Sequence, residues 1–273
     1  MLDLVSRELP VLIIHQSGHL AAINSKAMEL LGLDPATADP EGGKFRRGPD
    51  GSPNGVLEER AFFGVAFRAF ANTDAEIRAA SIAVGQEQYA RRGYTTAQDG
   101  RSSPREIAAL ENAAQEEALY LDVAAYPDIQ IAVAAMDSPY FTRDRSYTGH
   151  FCIAGVKLSL DGSPQGKTAW LTMPYHEPPP GYEPGYLGYP ALPDEQAHAR
   201  IDKAFANDWQ ILIHANGDAA IDQMIAGAAA AAAHYGEADR RPVLIHGQTL
   251  RQDQIANLVE LGIHPSLFPM HTY

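Results

Sequence analysis

The chain has 273 residues, of which 45% are hydrophobic and 20% are charged, and its formal net charge is −13 at pH 7. This composition excludes general disorder and is typical of a globular protein with a large core. The acidic balance argues against a nucleic-acid partner, because phosphates attract basic patches. The single cysteine, Cys152, excludes an intramolecular disulfide framework and is typical of the reducing cytoplasm, where we expect the protein to be located.

Two further classes are excluded by the sequence pattern. No apolar run approaches the roughly 18 residues that a membrane-spanning helix requires. The N-terminus lacks the basic start, apolar block and small-residue cleavage site of a signal peptide. We therefore expect no membrane association, and a small molecule as the principal partner.

Short apolar runs alternate with helical stretches along the chain, which predicts βα units around a parallel sheet. The predicted strands are residues 11–15, 94–99, 121–126, 151–160, 210–214, 242–246 and 262–268. The predicted helices are residues 24–31, 75–92, 106–118, 194–207, 218–235 and 251–261. The length fits one α/β domain, since barrels of roughly 250 residues are commonly single domains, although two smaller domains would also fit on length alone.

Two stretches depart from this alternation. Residues 33–60 carry the turn signals DPEGG, GPDG and SPNG, which predict a hairpin insertion after the first helix. Residues 174–193 contain PPPGYEPGY and GYPALP and are too long and too rich in proline for an ordinary connection. Such a loop either shapes an active site or is a solvated surface excursion, and the sequence leaves both interpretations open.

Two histidines end apolar runs in the same way. QILIH ends at His214 and PVLIH ends at His246, 32 positions later, which is about one βα unit. We therefore expect both side chains at the carboxyl ends of consecutive parallel strands, where barrel enzymes place their chemistry. Imidazole is a good ligand for zinc and similar metals. A single histidine of this kind is more often a satisfied core residue, whereas the matched pair favours a metal site.

A lysine lies in the predicted strand 151–160, FCIAGVKLSL. Continuous alternation places five apolar side chains on the face that packs against helices, namely Cys152, Ala154, Val156, Leu158 and Leu160. Lys157 then shares the opposite, interior face with Asp161, and an unpaired ammonium is costly there. Its amine is therefore paired with a carboxylate such as Asp161, lowered in pKa for Schiff-base chemistry, or covalently modified. The spacing alone does not choose among these alternatives.

Several motifs together resemble the metal-dependent amidohydrolase superfamily, and within it the amidohydrolase-3 group, which includes N-substituted formamide deformylases. They are GVKLSLDGSPQGKTAWLTMPY, ILIHANGDAAID and VLIHGQTL, with GHLAAINSKAMELLGL, GSPNGVLEE, YTTAQDG and SLFPMHTY in the family's order. The resemblance covers nearly the whole chain. It implies a deformed (β/α)8 barrel of the TIM type with a small flanking β domain. The metal ligands that it implies are a His-x-His pair, a carboxylated lysine, two histidines and an aspartate.

Carried over by position, the resemblance makes Lys157, His214 and His246 the metal ligands of the fourth, fifth and sixth barrel strands. It implies a divalent metal, zinc in the complete enzyme, and water attack on the carbonyl of an amide, formamide or cyclic amide. Substrate contacts are expected from the three side chains His19, Asp161 and His271.

The departures from the family pattern concern both ends of the chain. There is no His-x-His sequence, and the region of the eighth strand with its aspartate, the family's general base, is absent, so the catalytic residue is unknown. We therefore expect residues 1–273 to form an incomplete barrel domain, truncated at both ends, with a helix-plus-hairpin insertion near residues 16–60. The chain by itself is then expected to be inactive. The alternative interpretation is a catalytically inert, truncated barrel with at most a weak ligand pocket.

An incomplete barrel has consequences for assembly. Seven predicted strands leave at least one sheet edge without a neighbour, and such an edge exposes unpaired backbone groups. We expect a homodimer that covers this open edge.

Overall fold

A computed structural model describes residues 2–70 and 74–268. Its strands are β1 (Leu12–Ile14), β2 (Leu20–Ile23), β3 (Gly43–Arg47), β4 (Pro53–Glu59), β5 (Thr96–Ser102), β6 (Asp122–Pro127), β7 (Phe151–Ile153), β8 (Val156–Ser159), β9 (Ile211–Ala215), β10 (Val243–His246) and β11 (His264–Leu267). Its α-helices are α1 (Ser25–Leu31), α2 (Arg60–Phe70), α3 (Ala75–Ala90), α4 (Pro104–Gln115), α5 (Asp194–Ala206), α6 (Asp218–Tyr235) and α7 (Gln252–Glu260). None of the helices within these ranges is long and apolar enough to cross a membrane.

The strands from β5 onwards form two parallel sheets in chain order. One sheet has the order β5-β6-β7, and the other has the order β8-β9-β10-β11. A parallel bridge between Asp128 and Lys157 lies between the two sheets, directly after β6 and within β8. Parallel strands that alternate with helices confirm the predicted α/β class, whereas the closed or incomplete barrel stays a prediction.

One face of the second parallel sheet is covered by helices. Leu158, Ile213 and Leu244 of β8, β9 and β10 are fully buried and belong to one core cluster with Ile201 of α5 and Ile221 of α6. Burying an aliphatic side chain of this size stabilises a fold by roughly 1.5–3 kcal/mol. The face of the sheet that contacts the helices therefore consists of buried core side chains. The polar side chains of the same strands occupy the opposite, inner face.

The helices begin where the sequence supplies capping groups. Asn24 accepts a hydrogen bond from the Ala27 amide at the start of α1. At the start of α4, Ser103 and Glu106 form a reciprocal capping box, which satisfies two amides that the first helical turn leaves without partners. These signals explain why the predicted helix starts lie close to the observed ones.

The N-terminal region forms a separate antiparallel sheet of order β1-β2-β4-β3. Its core includes Ile23, Leu57 and Phe62. The β3–β4 pair lies within the stretch 33–60 whose turn signals predicted a hairpin. Strand β2 and helix α2 were not predicted. The β2 sequence LAAI is short and rich in alanine, a helix former, so its extended shape comes from pairing with β1 and β4 rather than from local propensity.

The predicted strand 151–160 is divided into β7 and β8, which belong to different sheets. Cys152 and Ala154 pack with Leu212 on the inner face, not against the helices, so that part of the alternation was wrong. The alternation changes phase at Gly155, where a Cβ atom would lie 2.2 Å from the Gln210 carbonyl oxygen. This close approach of two backbones requires glycine. Beyond it, Val156 and Leu158 face the helices as predicted and belong to the helix-facing core cluster.

The proline-rich loop 174–193 is anchored on both parts of the fold. The Tyr189 hydroxyl donates to Glu58 Oε2 at 3.0 Å, and Arg46 pairs with the other oxygen of this fully buried carboxylate. The Ala191 amide donates to the Leu160 carbonyl at 2.7 Å, directly after β8. Of the two interpretations that the sequence left open, the structure disfavours a freely solvated excursion.

Candidate active site

Three residues from neighbouring strands converge on the inner face. Lys157 of β8, His214 of β9 and His246 at the end of β10 line one cavity of about 350 Å³. The rings of His214 and His246 lie 4.9 Å apart, edge to face. Lys157 pairs in register with Leu212, two residues before His214, so the lysine and the histidine share a face. The expected convergence is therefore present, and metal binding by these residues stays a prediction.

Lys157 is a buried amine without an ion pair. Its Nζ donates to the Leu158 carbonyl at 3.4 Å, and within the described part of the chain it forms no salt bridge with a carboxylate. Burial, together with the charge of Arg101, lowers the pKa of Lys157 to about 7. Of the three alternatives for this amine, the simple pair with Asp161 is disfavoured, and a neutral or modified amine is favoured.

Asp161 is engaged by the backbone. Its oxygens accept hydrogen bonds from the amides of Trp170, Asn216 and Gly217 at 3.0, 2.9 and 2.7 Å, and His214 Nε2 lies 3.4 Å away. Burial raises the pKa of Asp161 to about 7. Every one of these partners is a donor, however, and we regard this geometry as that of an ionised carboxylate. Asp161 thus ties the loop after β8 to the end of β9, and its expected substrate contact stays untested.

His214 is held as a neutral imidazole. Burial and the neighbouring His19 and Lys157 hold the pKa of His214 well below its usual range. Its Nε2 lies 2.9 Å from the Gly162 carbonyl oxygen, which also accepts a hydrogen bond from the Asn216 side chain at 2.7 Å. In the tautomer that donates Nε2–H to Gly162, Nδ1 carries the lone pair that a metal needs.

His19 reaches this cavity from the antiparallel sheet. Its ring lies 4.9 Å from the ring of His214, and its Nδ1 is 2.8 Å from Glu59 Oε2. The other oxygen of Glu59 accepts from the Thr168 hydroxyl at 2.6 Å. Glu59 is 4% exposed and was not predicted. The motif GSPNGVLEE contains it, but which of its two glutamates faces the cavity depends on the β4 register, and the sequence does not specify that register.

Arg101 and Asp128 were also not predicted. Arg101 lines the cavity that contains Lys157, and its Nε donates to Asp128 Oδ2 at 2.9 Å. An arginine directly after the motif YTTAQDG is a weak signal, because alternation from Gln98 would turn it away from the interior.

A second cavity, of about 510 Å³, adjoins the first at His19 and His246. Its other polar side chains include Gln16, Gln165 and Asn216. The lining of this cavity is thus partly amide and imidazole, and the small-molecule partner stays a prediction. His271 lies outside the described residues.

The fit of these residues to a divalent metal depends on Lys157. Among the described residues there is no group of three or more histidine, cysteine, aspartate or glutamate side chains that could hold a metal ion. His214 and His246 supply two imidazoles, while Asp161 is occupied by amides. These two histidines and Lys157 can bind a metal together only when the Lys157 amine is converted into an anionic oxygen donor. With that conversion, the three residues fit a divalent metal.

The sequence of the chain is similar to those of known proteins. A model of the amidohydrolase family (Amidohydro_3) matches residues 1–273. Protein LONG AFTER FAR-RED 3 of Arabidopsis thaliana is 28% identical over 284 residues, which cover 99% of this chain and 47% of that protein. Putative amidohydrolase YtcJ of Bacillus subtilis (strain 168) is 24% identical, with 98% of this chain and 49% of that protein covered.

Solved structures share the fold. An uncharacterized metal-dependent hydrolase from Pyrococcus horikoshii OT3 superposes with a TM-score of 0.68 at 24% identity, covering 97% of this chain and 50% of that one. A second, from Pyrococcus furiosus, gives a TM-score of 0.66 at 22% identity, with 97% and 51% covered. The chain thus spans about half the length of the relatives it matches.

Proposed function

Because the chain belongs to the amidohydrolase family, we propose that it carries the metal-binding strands of a hydrolase that cleaves C–N bonds in amides, formamides or cyclic amides. The observation that carries the proposal is the convergence of Lys157, His214 and His246 in one cavity. Two imidazoles and a lysine amine on three consecutive parallel strands are the residue types that the family resemblance assigns to the metal site.

We further propose that residues 1–273 form part of a (β/α)8 barrel to which the parallel strands belong, with the insertion near residues 16–60. Two observations support it. The parallel strands follow chain order with helices between them, and the bridge between Asp128 and Lys157 connects the two parallel sheets. The inner face of such a barrel is the face on which Lys157 and His214 lie.

In the proposed site, Lys157, His214 and His246 hold a divalent metal, for which zinc is the candidate. Lys157 first reacts with CO₂. The neutral amine forms an N–C bond to the carbon, one C–O π pair moves onto oxygen, and a proton is released, which leaves a carbamate anion. Burial that lowers the pKa of the lysine to about 7 favours the neutral amine that this reaction requires.

The remaining residues position substrate and ligands. A divalent metal, when bound, polarises a substrate carbonyl and acidifies water. His19, fixed by Glu59, faces the same cavity and is proposed to contact the substrate. Asp161 holds the loop whose Gly162 carbonyl orients His214, and His271 is proposed as a further substrate contact. A small-molecule substrate and a cytoplasmic location are part of the same proposal.

Zinc content tests the proposal without relying on turnover. The purified chain is incubated with zinc chloride and bicarbonate, desalted and analysed by mass spectrometry for metal. We expect stoichiometric zinc in the wild type and loss of most of it in His214→Ala and His246→Ala. His234→Ala, which alters an exposed histidine of α6, serves as the control and should retain the metal.

The competing interpretation is an inert chain with a weak ligand pocket. It is favoured by one observation, which is that the described residues lack a ready-made group of three metal-binding side chains. Equal zinc content in the wild type and all three variants, or no zinc in any of them, would decide for this interpretation.

A further inference from the structure

Arg101 is turned into the interior by an irregularity in β5. Asp99 pairs with Ala125 of β6, but Ser102 pairs with Pro127, so β5 contains one extra residue between these two pairs. A bulge of this kind redirects the side chain at its position. As a result Arg101 lines the cavity together with Gln98, although regular alternation would separate them onto opposite faces.

The guanidinium is fixed on two sides. Its Nε donates to Oδ2 of Asp128, a carboxylate that is 2% exposed and whose Oδ1 accepts from the Gln130 amide at 2.8 Å. The ring of Phe63 lies beneath the guanidinium, with the Cζ atom 4.2 Å from the ring centroid. A stacked guanidinium that is also hydrogen-bonded through Nε has few orientations left, so its terminal N–H groups are preorganised.

The terminal nitrogens of Arg101 make no hydrogen bond with another described residue, and the ion pair with Asp128 is made through Nε. The nearby carboxylates have donors of their own. Asp161 accepts three backbone amides, and Glu59 accepts from Thr168 and lies beside His19. The arginine side chain is 29% exposed, so a molecule that enters the cavity has access to it. A planar fork of N–H donors in this situation matches a carboxylate.

We propose that Arg101 binds an anionic group of the substrate, and that the preferred substrates are small amides or formamides that carry a carboxylate close to the C–N bond. The cavity of about 350 Å³ holds Arg101 together with Lys157, His214 and His246, so both ends of such a molecule fit in one space. This inference rests on the proposed function for the reaction, but the recognition of the anion is a separate property of the chain.

The test is a calorimetric comparison of two matched probes, N-formylglycine and its neutral amide N-formylglycinamide, in the presence of a chelator so that no metal binds the carboxylate. We expect the wild-type chain to bind the acid at least about tenfold more tightly than the amide, since a charge-assisted hydrogen bond contributes this much. Arg101→Met should remove the preference, and Arg143→Met, at an arginine that is 75% exposed, should retain it.

A second variant covers the case in which Arg101→Met does not fold. Phe63→Leu keeps the charge of Arg101 and removes the stacking surface, so the preference should decrease about two- to fivefold. Equal affinity of the wild-type chain for both probes, or binding of neither, overturns the inference, as does an unchanged preference in Arg101→Met. Preferential binding of the acid by a chain that takes up no zinc in the metal analysis would instead count against the proposed function alone.

Discussion

Lys157 combines burial with the absence of a described counter-ion, an unusual state for a lysine. The charge of Arg101 lowers the pKa of the Lys157 amine, whereas the carboxylates of Asp128 and Asp161 raise it. Burial is the largest of these effects, and the neutral amine results. The lowered pKa of Lys157 is therefore a consequence of its burial in the folded chain.

We predict that Lys157→Met stabilises the protein at neutral pH. The pKa of Lys157 is about 7 in the folded protein against 10.5 in its ordinary state, so the unfolded chain binds more protons between these values. The cost of Lys157 to the free energy of unfolding is therefore greatest below about pH 7. This cost decreases as the pH rises towards 10.5. The variant should gain stability below pH 7, with an upper limit of about 5 kcal/mol, and lose the gain in alkali.

Urea unfolding in CO₂-free buffer over this pH range measures the effect, with the exposed Lys203→Met as the control. A stability gain that does not change with pH would show that the amine is not neutral in the folded protein.

At the scale of single residues, the sequence predicts what depends on strand ends and alternation. His246 ends β10, His214 lies one residue before the end of β9, and Lys157 lies on the inner face, close to the prediction. The sequence does not predict Arg101, whose direction depends on a bulge, or Glu59, whose φ of 49° lies in the left-handed region. Both depend on backbone irregularities that tertiary packing imposes, and no periodic pattern encodes them.

Among the elements, the break between β7 and β8 decides which side chains reach the cavity. Without the change of phase at Gly155, the apolar alternation that begins at Phe151 would place Lys157 on the helix-facing side. The continuous alternation from Cys152 to Leu160 gives the correct face for Lys157 because it matches the residues after the break, although it is wrong for Cys152 and Ala154 before it. The change of phase at Gly155 therefore determines that the Lys157 amine lies on the inner face of the sheet.

We predict that Gly155→Ala destabilises the protein by about 2 kcal/mol or more, because the added Cβ would lie 2.2 Å from the Gln210 carbonyl oxygen and the two backbones must separate. Gly85→Ala is the matched control. It adds the same methyl group in α3, where nothing lies within 4 Å, and should stabilise by about 0.5–1 kcal/mol. Urea unfolding of both variants measures the difference. Similar effects of the two substitutions would contradict the close approach at Gly155.

Across the whole molecule, the two parallel sheets of the described residues have four end strands, which are β5 and β7 in one sheet and β8 and β11 in the other. All four residues of β11 are exposed. Leu267 of this strand is 55% exposed, and Val259 of the adjoining α7 is 77% exposed. An apolar edge of this kind favours pairing with a second chain.

We predict that the purified chain self-associates through this edge at micromolar concentration. Leu267→Lys should shift the equilibrium towards monomer in sedimentation velocity, because it places a charge on the edge strand. Val84→Lys, at a residue of α3 that is 56% exposed, is the control and should leave the association unchanged. A wild-type chain that sediments as a monomer would contradict the homodimer that the sequence led us to expect.

The left-handed backbone at Glu59 has a consequence for how this protein would respond to selection. Glycine or asparagine would occupy such a conformation at lower cost than glutamate. A library selected for thermal stability alone should therefore enrich small residues at this position. A library selected for function should retain the glutamate, since only its carboxylate holds His19 and Thr168 together. At Glu59, a backbone conformation that costs stability is thus retained because the side chain is needed for function.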